Sequence, residues 1–158
     1  MIIAVDFDGT CVTHAYPDVG KDIGAAPVLR WLVEQGHQII LWTMRSGTGI
    51  SNPAEPDKFS KYDLQDAIDW FADNDIELLG VNENPDQHSW TKSPKAYAQI
   101  YIDDAALGCP LIFNSDLSDR PFVNWEKVKK WLEAIFDGKE PIGHTKIYEP
   151  KKRITYEL

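Results

Sequence analysis

The sequence predicts an α/β fold on a central, mainly parallel sheet. Three observations predict it: short unbroken apolar runs alternate with segments of helical spacing, polar residues gather just after the runs, and the intervening stretches are rich in Gly, Pro, Ser and Asn. A strand covered on both faces reads as a continuous apolar run, and strands alternating with helices wind into a parallel sheet. The 158 residues suit one domain, and a chain of that length buries about two thirds of its unfolded surface.

Ile2 to Val5 reads as the first strand. Val28, Leu29, Leu32 and Val33 space a helix over Ala25 to Gln35, with Gly36 as its stop. Gln38 to Trp42 is the second strand and ends at Thr43. Ser46 to Pro56 is a loop; its Ser46-Gly47-Thr48-Gly49 run lacks the spacing of a nucleotide-binding loop. Leu64, Ala67, Ile68 and Phe71 space a second helix ending near Asn74, and Ile76 to Val81 reads as a third strand. After a polar loop from Asn82 to Ser93, Ile100 to Ile102 is a fourth strand running into Asp103-Asp104, and Leu111 to Phe113 suggests a fifth. Trp125, Val128, Trp131, Leu132 and Ile135 mark a third helix with Asn124 as its N-cap. Residues 1–137 therefore read as the core and 138–158 as a weakly patterned tail.

Sixteen basic against 25 acidic residues leave a net charge of −9, a surface that repels nucleic-acid backbones. Lys151-Lys152-Arg153 is a solvated cluster against that background. Cys11 and Cys109 form no CxxC and read as reduced thiols. No apolar run reaches the roughly 18 residues of a membrane helix, and Met1 to Asp6 is not a signal peptide. A cytoplasmic protein with a small-molecule partner is expected, and a homo-oligomer is compatible with the sequence.

Parallel sheets bind ligands beyond the carboxyl ends of their strands, and there the acids cluster: Asp6 and Asp8 after the first strand, Asp103 and Asp104 after the fourth, with Thr43 and Arg45 after the second. Residues i and i+2 of an extended chain point the same way, which aims Asp6 and Asp8 at one site and Phe7 at the interior. Close carboxylates without His or Cys call for a hard, oxygen-preferring cation, and Mg²⁺ fits. Gly9 lets backbone amides approach a phosphate, the Thr43 hydroxyl can donate to it, and Lys95 or Lys92 can offset the negative charge.

Asp6, Asp8, Gly9 and Thr10 form D-x-D-G-T. By ordinary composition this run arises by chance in about one chain in a thousand of this length, so it is informative. With the apolar run ending at Thr43, the lysine Lys95 (Lys92 as the alternative) and the acid pair after Ile100 to Ile102, the chain resembles the haloacid dehalogenase (HAD) superfamily over residues 1 to about 113.

The resemblance implies a three-layer α/β/α Rossmann-like core and phosphomonoester hydrolysis through an aspartyl-phosphate. In it Asp6 would be the nucleophile and Asp8 the general acid, then base. Mg²⁺ would be held by Asp6, the backbone carbonyl of Asp8 and one of Asp103 or Asp104, with Asp104 favoured as the direct ligand and Asp103 as the outer one. Thr43 and Lys95 would hold the phosphate, and Gly9, Thr10, Met44 and Arg45 would line the substrate. Asp8 also favours phosphoryl chemistry, because members that remove halide lack this second acid. In the family a cap domain is inserted soon after the first motif or between the second and third; Thr10 to Gln38 and Ser46 to Ser93 have no room for a large one, so the pocket should be open unless the Ser46 to Lys61 loop, the tail or a neighbouring subunit covers it.

Some residues stay ambiguous. Arg45 either touches substrate or pairs with an acid on the surface. His14 and Cys11 can line the pocket or be structural, and His37, His88 and His144 show no metal spacing. Trp90 is expected as a partly buried anchor rather than a stacking platform. Two rival functions remain: a polynucleotide end phosphatase, which the net charge disfavours, and a catalytically silent module holding Mg²⁺ and phosphate.

Overall fold

The computed structural model describes residues 1–47 and 63–138. Most of the Ser46 to Lys61 loop, the tail beyond Gly138, His144 and Lys151-Lys152-Arg153 lie outside the described residues. The elements run β1 (Ile2–Val5), α1 (Ala25–Glu34), β2 (Gln38–Leu41), α2 (Asp63–Asp73), β3 (Leu78–Val81), a 3-10 turn (Pro85–Ser89), β4 (Ile100–Ile102), β5 (Leu111–Ile112), β6 (Phe122–Val123) and α3 (Trp125–Phe136). Among the described residues no helix is long and apolar enough to cross a membrane.

The chain is α/β. Four strands form a parallel sheet in the order β3-β2-β1-β4. The apolar runs follow from this order, since β1 and β2 lie inside the sheet and every residue of theirs past the first is buried. β3 and β4 are the edges; β3 is half-buried throughout and β4 leaves Tyr101 exposed.

Register sorts the side chains by face. Ile3, Val5, Ile39 and Leu41 share one cluster with Leu29 and Leu32 of α1, Phe71 of α2, and Val128 and Leu132 of α3. All three helices thus bury their apolar stripes in a common core. Ala4 and Ile40 alternate to the opposite face and meet Ala98 in a smaller cluster. Ala4 is paired with both Ile40 and Tyr101, and Ile40 with Gly80. Ala4 and Gly80 present little bulk on this face, and the segment before β4 can lie close to it.

Caps set the boundaries. Gly36, at φ 79°, closes α1 with its amide on Val33 O while His37 N reaches Leu32 O; this left-handed stop satisfies the last carbonyls of the helix. Asn124 accepts from Lys127 N at 3.0 Å and caps α3. Two expectations need correction. β3 begins at Leu78 rather than Ile76, because Asp75 takes a positive φ of 55° and Ile76 N bonds Phe71 O, so both belong to the stop of α2. Leu111–Ile112 is a strand, as expected, but it ends before Phe113 and stands outside the four-stranded sheet. It pairs antiparallel with β6 in a separate ribbon, with both its residues exposed, and β6 is tied to the first motif by Val123 N on Gly9 O.

Candidate active site

Two adjacent strands deliver the acids. The Asp6 amide bonds Ile102 O at 2.9 Å, so pairing between β1 and β4 continues one residue beyond the strands and brings Asp6 beside Asp103 and Asp104. Carboxylate oxygens of Asp6, Asp103 and Asp104 lie within 4.8 Å of one another. Thr10 joins the two strand ends: its hydroxyl donates to Asp6 Oδ2 at 3.1 Å and accepts from Asp104 N at 3.0 Å. Thr10 is fully buried, and its carbonyl accepts from the Trp125 indole at 2.6 Å.

The cluster is under electrostatic tension. Burial pushes Asp6 from 3.8 up to about 7, and the charges of Asp103 and Asp104 add to the rise; a backbone hydrogen bond at Phe7 and the Thr10 hydroxyl pull the other way. Burial raises Asp104 too, with His14 working against it and Asp103 repelling it. No Lys or Arg ion-pairs with these three acids among the described residues. Carboxylates packed without a counter-charge are suited to a divalent cation, and an all-oxygen donor set suits Mg²⁺.

His14 is the basic group nearest the cluster. Its Nε2 lies 3.1 Å from Asp104 Oδ2 but makes no hydrogen bond and is buried; the distance is that of an ion pair and the direction is not that of a hydrogen bond. The ring also fills the space over Gly9, where a Cβ would fall 2.2 Å from His14 Nε2, and Gly9 has φ 79°. Cys11 is fully buried, its thiol pushed well up by burial and by the charges of Asp6 and Asp8, which makes it an inert packing group.

Asp8 is held apart from the cluster. Arg45 Nε and Nη2 donate to its two carboxylate oxygens, each at 2.7 Å. Arg45 is 2% exposed. Its remaining N–H groups reach Pro17 O and Asp63 O from Nη1 and Asp18 O from Nη2. Burial works against the Arg45 charge, but the hydrogen bonds and charge of Asp8 hold it above its ordinary value. The acid that Arg45 pairs with is Asp8, and the guanidinium does so from inside the protein rather than on its surface.

Asp63 completes this network. It is buried at the start of α2, where Oδ1 accepts from Leu64 N and Gly47 N and Oδ2 accepts from the Tyr16 hydroxyl. Thr43 is aligned by Asn82, whose side chain accepts the Thr43 amide at 2.8 Å, while the Thr43 hydroxyl accepts from Arg45 N. Asp63, Tyr16 and Asn82 escaped the sequence reading. Asp63 looks like any first-turn acid; only Asn82, just past an apolar run, carried a positional signal.

The other expected site residues are spread more widely. Met44 is 96% exposed beside Thr43. Lys95 Nζ lies 5.4 Å from the Tyr101 ring centroid and makes no ion pair among the described residues. Lys92 is exposed. Trp90 is 62% exposed and meets Tyr97 edge-on, so it is not the partly buried anchor expected. An apolar groove between β4, residues 106–110 and α3 shares no residue with the acid cluster.

No family model matches the chain, and no curated protein does. Among solved structures it is similar to a conserved protein coded by a locus from Bacteroides thetaiotaomicron. The two share 30% identity over 92% of this chain and 98% of that one, with a TM-score of 0.64.

Proposed function

We propose that this chain, which belongs to the same family as the conserved Bacteroides thetaiotaomicron protein, is a Mg²⁺-dependent phosphomonoester hydrolase of the HAD type. The observation that carries the reading is the convergence of Asp6, Asp103 and Asp104 from two strand ends with, among the described residues, no basic side chain paired to them except His14. In the three-layer core that the resemblance implies, the segment before β4 would be the thin third layer.

Asp6, Asp103, Asp104 and the Asp8 carbonyl would hold Mg²⁺, which when bound supplies neutralisation of charge on the phosphoryl oxygens. An Asp6 oxygen attacks phosphorus and forms an acyl phosphate as the bond to the leaving oxygen breaks. Asp8 gives that oxygen its proton. Water then attacks the phosphorus of the acyl phosphate, Asp8 takes the water proton, and inorganic phosphate leaves with Asp6 restored. The Thr43 hydroxyl already accepts from Arg45 N, so its own proton remains to donate to phosphate. Lys95, which is exposed, would be the cation that meets the phosphate. It rests on Tyr101, two residues before Asp103, which in extended chain share a face. Gly9 and Thr10 supply backbone at the phosphate, and Met44 stands at the rim.

Hydrolysis of an aryl phosphate with and without Mg²⁺, in wild type and in Asp6→Asn, tests the reading. Mg²⁺-dependent turnover abolished by Asp6→Asn is expected. Turnover that survives the substitution removes the nucleophile, and a folded wild type that binds Mg²⁺ yet hydrolyses no phosphoester is a binding module.

A further inference from the structure

The D-x-D pair is chemically divided. Asp6 faces two other acids, while two oxygens of Asp8 are gripped by one buried guanidinium. A guanidinium carries five N–H donors in a rigid fork. At Arg45 all five are used inside the protein: two on Asp8 and one each on Pro17 O, Asp18 O and Asp63 O. The plane is further flanked by Phe7 at 4.9 Å and Tyr16 at 5.4 Å from its central carbon to the ring centroids. An arginine so placed has no donor to offer a phosphate. The carboxylate it ion-pairs with, Asp8, has a side chain that is still 21% exposed.

We infer that Arg45 is a positioning residue, which fixes the rotation of the Asp8 carboxylate and so aims its proton-transfer oxygen, without itself contacting substrate. This rests on the phosphohydrolase reading above. Two parallel N–H···O bonds define a plane where one bond would leave a swivel. The fork is anchored in turn: Asp63 holds Arg45 through its carbonyl while its side chain takes the Tyr16 hydroxyl and the amides of Gly47 and Leu64. The orientation of Asp8 is thereby tied to the loop after β1 and to the start of α2. A misplaced proton-transfer group slows chemistry without weakening ground-state binding.

The test compares wild type, Arg45→Met, Arg45→Lys, Asp8→Asn and the Asp8→Asn/Arg45→Met double variant. Aryl phosphate turnover is measured at saturating Mg²⁺, Mn²⁺ affinity by titration, and folded fraction by circular dichroism. Arg45→Met is expected to lower kcat by about 100-fold with KM and Mn²⁺ affinity within about threefold of wild type. Arg45→Lys, which keeps one bond to Asp8, should fall between. The double variant should be no slower than Asp8→Asn. A rise in KM at unchanged kcat would make Arg45 a substrate ligand and overturn the inference. So would unchanged kcat in folded Arg45→Met, or activity loss in Arg45→Met and Arg45→Lys that only follows their folded fractions. A wild type that binds Mn²⁺ but hydrolyses nothing removes the phosphohydrolase reading, and the inference with it. That outcome is separable because it shows in the wild type alone.

Discussion

The Thr10 hydroxyl donates to Asp6 Oδ2 at 3.1 Å and spends its lone pair on the Asp104 amide at 3.0 Å. One buried side chain thus spaces the ends of β1 and β4, and with them the acids each strand delivers. The last residue of the D-x-D-G-T run is in this sense a structural bolt as well as a candidate phosphate contact.

Thr10→Val keeps the shape and removes the hydroxyl. It leaves the Asp104 amide without its acceptor, and a lost buried partner of this kind costs about 1–3 kcal/mol. Urea denaturation should show that loss, and Mn²⁺ affinity should fall because the acids are no longer registered. Stability and affinity both equal to wild type would mean the bolt is unimportant.

The metal-free protein should lose stability as pH rises from about 4 to about 7. Asp6 keeps its proton to about 7 in the fold against 3.8 ordinarily. Between those values the folded state binds more protons than the unfolded, so stability is greatest below the lower value and falls through the higher one. The gap corresponds to roughly 4 kcal/mol as an upper figure. Thermal melts across this range should fall in wild type and flatten in Asp6→Asn, and Mg²⁺ should flatten the wild-type curve. Parallel curves for the two metal-free proteins would place the tension elsewhere.

Gly9 tolerates no side chain. Its φ of 79° disfavours an L residue, and a Cβ would strike the His14 ring. Gly9→Ala should destabilise by about 1–3 kcal/mol, and adding His14→Ala should recover only the part due to the clash. A melting temperature unchanged in Gly9→Ala would contradict both causes.

Asp63→Ala removes acceptors from Leu64 N, Gly47 N and the Tyr16 hydroxyl at once. A loss of about 1–3 kcal/mol in chemical denaturation is expected from the lost buried bonds. Tyr16→Phe, which drops a single bond to a half-exposed ring, should lose less. The reverse order would show that Tyr16 rather than Asp63 holds the network.

Residue order alone determined the parallel sheet, because Ile2 to Val5 and Ile39 to Leu41 can be continuously apolar only if both faces are covered. It also determined that Asp6, Asp103 and Asp104 belong together, since ends of parallel strands share one edge of a sheet. Only the tertiary structure decided that Asp8 turns to Arg45, that Thr10 reaches Asp104, 94 residues away in sequence, and so joins two strand ends, and that Asp63 serves the site from the start of α2. The reason is range. Strand and helix patterns are written in neighbouring residues, whereas the partner of a buried carboxylate is chosen by whichever donor the whole fold carries to it.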